Sequence, residues 1–132
     1  MADDTATKKK ILIIDDDTFL LDMYSLKFSQ SGYAVDTALG SEQAYEKMKQ
    51  GATPDIFLTD IVMPTMDGFE LLEKLRAEKL LANAVVIILS NRGQQVDIDR
   101  GVSLGADGYI VKASSTPSEV VAKVAEILSK KK

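Results

Sequence analysis

The chain has 132 residues, 45% of them apolar, and a formal net charge of −4, which fits one domain with a proper core. The acidic balance excludes direct nucleic-acid binding and attachment to an anionic membrane, and no apolar run approaches the roughly 20 residues that span a bilayer. The absence of cysteine and histidine excludes disulfides, thiolate metal sites and catalysis by an imidazole of this chain. A cytoplasmic domain whose chemistry uses carboxylates, hydroxyls and amines is expected.

Residues 1–9 are polar and aperiodic, and we predict a flexible tail followed by one domain over residues 10–130. Five short apolar runs then alternate with amphipathic segments. The runs are Ile11–Ile14, Tyr33–Thr37, Ile56–Leu58, Val85–Leu89 and Tyr109–Val111. Such uniformly apolar runs are typical of strands that are buried on both faces, as in a parallel sheet covered by helices.

The segments between the runs are predicted to be helices. The first has apolar residues at helical spacing, Leu20, Tyr24 and Phe28, and Asp17 is predicted to cap it. We expect Ser41 to cap the second helix, which runs to Gly51.

The third, fourth and fifth helices differ in how clearly their apolar faces are marked. On the third, Phe69, Leu72, Leu75 and Arg76 share one side, and Asp67-Gly68 is expected to be only a turn before it. The fourth, near residues 94–104, has few apolar anchors and is expected to be the most mobile. The fifth has a continuous apolar stripe and opens with a capping box at Thr116–Glu119. The whole pattern predicts an α/β fold, a doubly wound (βα)₅ unit with helices on both faces of a parallel five-stranded sheet.

Polar residues follow the apolar runs at the point where each predicted strand ends. They are Asp15, Asp16 and Asp17 after the first run, Asp60 after the third, Ser90 after the fourth and Lys112 after the fifth. Because ligands of open α/β sheets bind outside the carboxyl ends of the strands, we expect these groups to form one site.

The chemistry of these groups indicates phosphoryl transfer. Crowded carboxylates require a counter-cation, and ligands that are all oxygens suit Mg²⁺. Asp60 can be a carboxylate nucleophile that forms an aspartyl phosphate. Lys112 would act as a point charge on the phosphoryl oxygens, and Ser90 would donate a hydrogen bond to another of them.

Four motifs in this order resemble the response regulator receiver family over residues 9–130. They are Ile-Leu-Ile-Ile-Asp15-Asp16-Asp17, Leu-Thr-Asp60-Ile-Val-Met-Pro64-Thr-Met-Asp67-Gly68, Ile-Leu-Ser90 and Gly105-Ala-Asp-Gly-Tyr109-Ile-Val-Lys112. The resemblance implies a flavodoxin-like sheet with strand order 2-1-3-4-5. It implies that Asp60 is the phosphoacceptor and that Mg²⁺ is held by Asp15, Asp16, Asp60 and the backbone carbonyl of Val62. Ser90 and Lys112 would contact the phosphoryl group, and Tyr109 and Ser90 would be the switch residues.

The resemblance also implies partners. The phosphodonor would be a sensor histidine kinase or a histidine phosphotransfer protein. The signal would leave through the face formed by the fourth helix, the fifth strand and the fifth helix, toward a downstream protein or a phosphorylation-dependent homodimer. The chain would phosphorylate and dephosphorylate itself, and it would not be a turnover enzyme.

The sequence departs from the family pattern at two positions, Ala113 and Asn91, and two further positions, Val62 and Arg92, are variable in the family. Ala113 stands where the family has a proline after a cis bond, so a trans Lys112–Ala113 bond is expected. Asn91, in place of a small residue, could narrow access to Asp60. Val62 and Arg92 occupy positions that modulate hydrolysis in the family, and an apolar Val62 cannot orient an attacking water.

Four alternative functions share part of this pattern. A haloacid-dehalogenase-type phosphatase would need Asp-x-Asp-x-Thr/Val, whereas Phe19 stands at the fifth position here. A flavodoxin would place a Ser/Thr/Gly-rich turn where this chain has three aspartates, which repel phosphate. A phosphorylation-independent adaptor, or a receiver excised from a longer regulator, would retain the same surface.

Overall fold

Five strands and five helices alternate along the chain in the computed structural model, which describes residues 8–131. The strands are β1 (Lys10–Asp15), β2 (Ala34–Leu39), β3 (Ile56–Thr59), β4 (Val85–Ser90) and β5 (Gly108–Val111). The helices are α1 (Thr18–Gln30), α2 (Ser41–Lys49), α3 (Gly68–Ala77), α4 (Gln95–Ser103) and α5 (Pro117–Lys131), with a 3₁₀ turn at Lys112–Ser114. Most of the predicted tail, residues 1–7, lies outside the described residues.

The strands form one parallel sheet in the order β2-β1-β3-β4-β5, which confirms the predicted fold and strand order. In the register, Ile14 of β1 lies beside Thr59 of β3, and Ser90 of β4 lies beside Val111 of β5. The carboxyl ends of β1, β3, β4 and β5 therefore meet along one edge of the sheet, where Asp15, Asp60, Ser90 and Lys112 follow or end their strands.

The sheet is covered on both faces, because alternate side chains of each strand point to opposite sides. One core includes Leu12, Phe57 and Val86, packed against α2 and α3. The other includes Ile13, Leu58 and Ile87, packed against α1 and α5. The uniformly apolar strand runs are thus explained by burial on two faces at once.

Two of the three predicted helix starts are confirmed. The Asp17 carboxylate accepts from the backbone N–H groups of Phe19 at 2.9 Å and of Leu20 at 3.2 Å. The capping box of α5 is formed, because Thr116 Oγ1 accepts from the Glu119 amide and the Glu119 carboxylate accepts from the Thr116 amide.

The predicted capping role of Ser41 is wrong. Gly40 is the N-cap residue of α2, and its φ of 88° is a conformation that favours glycine. Ser41 is the first helical residue, and its hydroxyl donates to the backbone carbonyl of Met66 at 2.6 Å. The segment between β3 and α3 lies over the start of α2. The Ser41 hydroxyl therefore binds this segment and does not cap the helix.

Helix α4 has few buried residues, as the sequence predicted. Its buried members are Asp97 and Gly101, whereas Val96 and Val102 are exposed. Within the described part of the chain, no helix combines the length and apolar character needed to cross a bilayer.

Candidate functional site

Four of the predicted site residues meet at the carboxyl edge of the sheet. Lys112 Nζ lies 2.6 Å from Asp15 Oδ2 and 3.0 Å from Asp60 Oδ2. Asp15, Asp16 and Asp60 each offer a carboxylate oxygen, and these oxygens lie within 4.8 Å of one another. Asp15 and Asp60 are buried and Asp16 is exposed, so the cluster opens to solvent on the side of Asp16.

The charges of this cluster suit a divalent cation. Three carboxylates and one ammonium group leave two uncompensated negative charges when all four groups are ionised. The donor atoms are oxygens, which hard cations such as Mg²⁺ prefer. The residues therefore fit the ion that the sequence predicted.

The environment disfavours the charge on Asp60 and favours the charge on Lys112. Burial raises the pKa of the Asp60 carboxyl and the neighbouring Asp15 charge adds to this, outweighing the opposing effect of Lys112. Burial alone would lower the pKa of Lys112, but its hydrogen bond to Asp15 and the charges of both carboxylates raise it overall. Lys112 is thus held as a cation, whereas ionised Asp60 is held at a cost in stability.

The predicted switch residues lie on the neighbouring strands β4 and β5 and share one neighbour, Arg92. Ser90 is fully buried, and its hydroxyl oxygen accepts from the Arg92 amide at 3.2 Å. The Tyr109 hydroxyl donates to the Arg92 carbonyl. Burial, then the charge of Asp97, raise the pKa of Tyr109 to about 12, so the phenol keeps its proton and remains a donor at neutral pH.

The two positions that depart from the family pattern and the two variable positions lie mostly at the surface. The Val62 side chain is 60% exposed, and Asn91 is exposed. The Arg92 guanidinium binds Asp97, with 2.7 Å between Nη2 and Oδ1. The Lys112–Ala113 bond is trans, as expected, and the chain turns there in a short 3₁₀ helix.

One residue that positions Asp60 was missed in the sequence. A Cβ atom on Gly68 would lie 2.2 Å from the Asp60 carbonyl oxygen and 2.8 Å from Ile61 Cα. The Gly68 amide also donates to the Ile61 carbonyl at 2.8 Å. Asp67-Gly68 is therefore more than a turn: Asp67 caps α3 in a capping box with Glu70, and Gly68 lets α3 start against the backbone of Asp60.

Asp97 was also missed, because nothing in its spacing marks it as more than a surface acid of an amphipathic helix. It is 5% exposed, although most other residues of α4 are exposed. The signal that could have identified it is the basic residue Arg92 five positions earlier, across a loop and the first turn of α4.

Known proteins with a similar sequence cover nearly all of the described chain. The model of the response regulator receiver domain matches residues 11–125. The chain is 36% identical over 91% of its length to the alkaline phosphatase synthesis transcriptional regulatory protein PhoP of Bacillus subtilis, of which it covers 48%. It is 32% identical over 93% of its length to the phosphate regulon transcriptional regulatory protein PhoB of Rhizobium meliloti, of which it covers 53%. The chain thus spans about half the length of these relatives.

Solved structures of similar size share the fold throughout. A CheY-like receiver domain protein of Methanospirillum hungatei is 32% identical with a TM-score of 0.82, and the match covers 93% of this chain and 95% of that one. The chemotaxis response regulator CheY4 of Vibrio cholerae is 27% identical with a TM-score of 0.82, covering 91% and 98%. With the family model matched over residues 11–125, the chain belongs to the response regulator receiver domain family.

Proposed function

We propose that Asp60 accepts a phosphoryl group from a partner phosphohistidine in a Mg²⁺-dependent reaction, and that the modified protein presents a changed α4-β5-α5 face. The partner would be a sensor histidine kinase or a histidine phosphotransfer protein, met in the cytoplasm. The observation that carries the proposal is the cluster of three carboxylates within 4.8 Å, two of them bound to Lys112.

The chemistry at the site is a displacement at phosphorus. A carboxylate oxygen of Asp60 forms the new P–O bond as the P–N bond of the phosphohistidine breaks, and the imidazole leaves with the electron pair. Lys112, already beside Asp60, places its positive charge against the phosphoryl oxygens. The Ser90 hydroxyl donates to another of those oxygens.

Mg²⁺ would be held by the carboxylates of Asp15, Asp16 and Asp60 and by the backbone carbonyl of Val62. Its chemistry is the neutralisation of charge on the phosphoryl oxygens. Asp16 is the exposed member of this set, so it would be the ligand most accessible to a hydrated ion. The protein itself is the acceptor and later loses the group by hydrolysis, so the proposed reaction is not turnover of an external substrate.

The proposed switch uses the groups next to the acceptor. When Ser90 turns toward the phosphoryl group, the hydrogen bond between the Ser90 hydroxyl and the Arg92 amide changes. Tyr109 shifts as well, because its hydroxyl donates to the carbonyl of the same Arg92. Since a ligand can only shift an equilibrium between existing states, the unmodified protein samples the active form as a minor state. A downstream protein or a second copy of the chain would bind the favoured state, whether the chain acts alone or within a longer regulator.

The intact mass of the protein after incubation with acetyl phosphate tests the proposal. Wild type with Mg²⁺ should gain one phosphoryl group, whereas wild type with EDTA and Asp60→Ala with Mg²⁺ should gain none. Asp55→Ala is the matched control, because Asp55 directly precedes β3 at the opposite edge of the sheet, where its carboxylate accepts from the Lys10 amide. Absence of the adduct in wild type would instead support a phosphorylation-independent adaptor.

The lifetime of the phosphoryl group should depend on Val62. Its side chain is exposed and apolar, two residues after Asp60, so it cannot orient an attacking water. We expect Val62→Asn to dephosphorylate faster than wild type, by up to the roughly hundredfold that marks the low end of the gain from a positioned polar group. The decay of the adduct after removal of acetyl phosphate measures this, with Val62→Ile as the control that stays apolar. Equal decay rates for Val62→Asn and wild type would show that Val62 does not set the lifetime of the phosphoryl group.

A further inference from the structure

Arg92 contacts both switch residues through its backbone. Its amide donates to the Ser90 hydroxyl at 3.2 Å, and its carbonyl accepts from the Tyr109 hydroxyl. A displacement of the Arg92 backbone therefore changes the surroundings of Ser90 and Tyr109 together.

The side chain of the same residue contacts two helices. Its guanidinium binds Asp97 of α4 at 2.7 Å, and its Cζ lies 5.9 Å from the centre of the Phe69 ring of α3. A second guanidinium, that of Arg100 in α4, lies 4.6 Å from the same ring. Phe69 is buried and follows Gly68, the residue that packs on the backbone of Asp60. The start of α3 and the helix α4 are thus joined by cation–π contacts beside the acceptor.

Helix α4 depends on these contacts of Arg92 and Arg100 because few of its own residues are buried against the rest of the domain. Its buried side chain is Asp97, and it lies close to the Tyr109 ring at Gly101, where a Cβ atom would be 3.4 Å from Tyr109 Cδ2. A buried carboxylate with a 2.7 Å partner is a stronger constraint than an exposed ion pair, since loss of the partner leaves an unpaired charge. Arg100, by contrast, pairs with Glu73 at 3.7 Å, and both side chains are about half exposed.

We propose that Arg92 is a positioning residue that couples the switch to α4: its backbone bonds Ser90 and Tyr109, and its ion pair with Asp97 makes α4 move with them. The proposal rests on the proposed function for its role in signalling. It differs from a role of Arg92 in hydrolysis at Asp60, because the guanidinium is bound to Asp97 and lies over Phe69. The Arg92–Asp97 pair then sets how much of a change at Asp60 reaches the α4-β5-α5 face.

The test uses fluorotyrosine-labelled protein and amide hydrogen exchange. The chain has four tyrosines, so its ¹⁹F spectrum is simple, and Tyr109→Phe assigns the resonance of interest. The first variant is Asp97→Asn, which keeps the shape of the side chain and removes its charge. Asp99→Asn is the matched control, since Asp99 lies on the same helix, is exposed and bonds only Gln95 among the described residues.

In the metal-free protein, Asp97→Asn should shift the Tyr109 resonance and accelerate exchange in residues 95–103 about fivefold, with α5 unchanged. Asp99→Asn should do neither. Arg92→Lys is the second variant: it keeps the charge but loses the planar guanidinium, so a Tyr109 shift in this variant cannot come from a changed field. Faster exchange in α4 with an unmoved Tyr109 resonance in both variants would overturn the proposal, because Asp97 would then only stabilise its helix.

Addition of beryllofluoride and Mg²⁺ as a phosphoryl mimic separates this proposal from the function on which it rests. Wild type should show changes at Tyr109 and in α4, whereas Asp97→Asn should keep the change at Tyr109 and lose the one in α4. An α4 response equal to that of wild type would contradict the coupling. If wild type does not respond at all, the phosphoacceptor function fails, and the metal-free comparison still decides whether Arg92 couples Tyr109 to α4.

Discussion

Asp60→Asn will abolish phosphoryl uptake and will also make the metal-free protein more stable, by about 0.5–2 kcal/mol at neutral pH. The loss of uptake follows because an amide is not a nucleophile toward phosphorus. The gain in stability follows because burial and the Asp15 charge both disfavour ionised Asp60 in the folded protein. The neutral amide removes that repulsion, and Lys112 keeps its 2.6 Å contact with Asp15.

The gain in stability of metal-free Asp60→Asn over wild type should grow as the pH rises. Because the folded pKa of Asp60 is raised above the ordinary value of 3.8, wild type begins to lose stability when the unfolded carboxyl ionises, and the loss is complete once the folded carboxyl ionises too. Below pH 3.8 it is protonated in both states and the two proteins should be equally stable. As the pH rises through the raised pKa, the variant should become the more stable of the two. Urea unfolding in EDTA at several pH values measures this.

Mg²⁺ should reverse the order of stability. A ligand that binds only the folded state stabilises it by about 2.7 kcal/mol at a hundredfold excess over its Kd. Wild type should gain this amount, and Asp60→Asn should gain less because one carboxylate ligand is lost. Asp22→Asn, which removes an exposed charge from α1, should behave as wild type in both conditions. A metal-free Asp60→Asn that is less stable than wild type at neutral pH would show that Lys112 outweighs the repulsion.

The parallel sheet and the site edge were predictable because both follow from periodicities of the sequence, whereas the strand order was implied by the resemblance to the receiver family. Runs such as Ile11–Ile14 and Ile56–Leu58 have no polar face, so a parallel sheet with two covered faces is their stable arrangement. In such a sheet the residues after the strands converge at one edge. The proximity of Asp15, Asp60 and Lys112 could therefore be predicted from the sequence, although they are distant along the chain.

The parts that could not be predicted depend on close approaches between segments. Ser41 has the residue type of a helix cap, yet it bonds Met66 because another loop crosses it. Asp97 has the composition of a surface acid, yet it is buried because α4 lies against the Arg92 loop. Gly68 stands in a common turn pair, and only the backbone of Asp60 beside it explains why a side chain is excluded. Such contacts are set by tertiary geometry and produce no repeating pattern in the sequence.

Gly68→Ala should cost about 3 kcal/mol of stability, the upper end of the usual range for overpacking. Its methyl group would lie 2.2 Å from the Asp60 carbonyl oxygen, a backbone atom that cannot rotate away. Either α3 or the segment after β3 must then shift. Because a misplacement of about 1 Å at a reacting group costs roughly a hundredfold in rate, phosphoryl uptake from acetyl phosphate should slow by about that factor.

The sign of the stability change makes this test decisive. Gly68 is the first residue of α3, and helix propensity alone predicts that alanine there stabilises the protein by up to about 1 kcal/mol. Gly93→Ala is the control, since its methyl would meet the side chain of Val111, which can reorient, at 2.8 Å. Urea unfolding and the uptake rate of both variants distinguish the two effects. If Gly68→Ala is more stable than wild type, propensity governs the position and the packing of α3 on Asp60 does not constrain it.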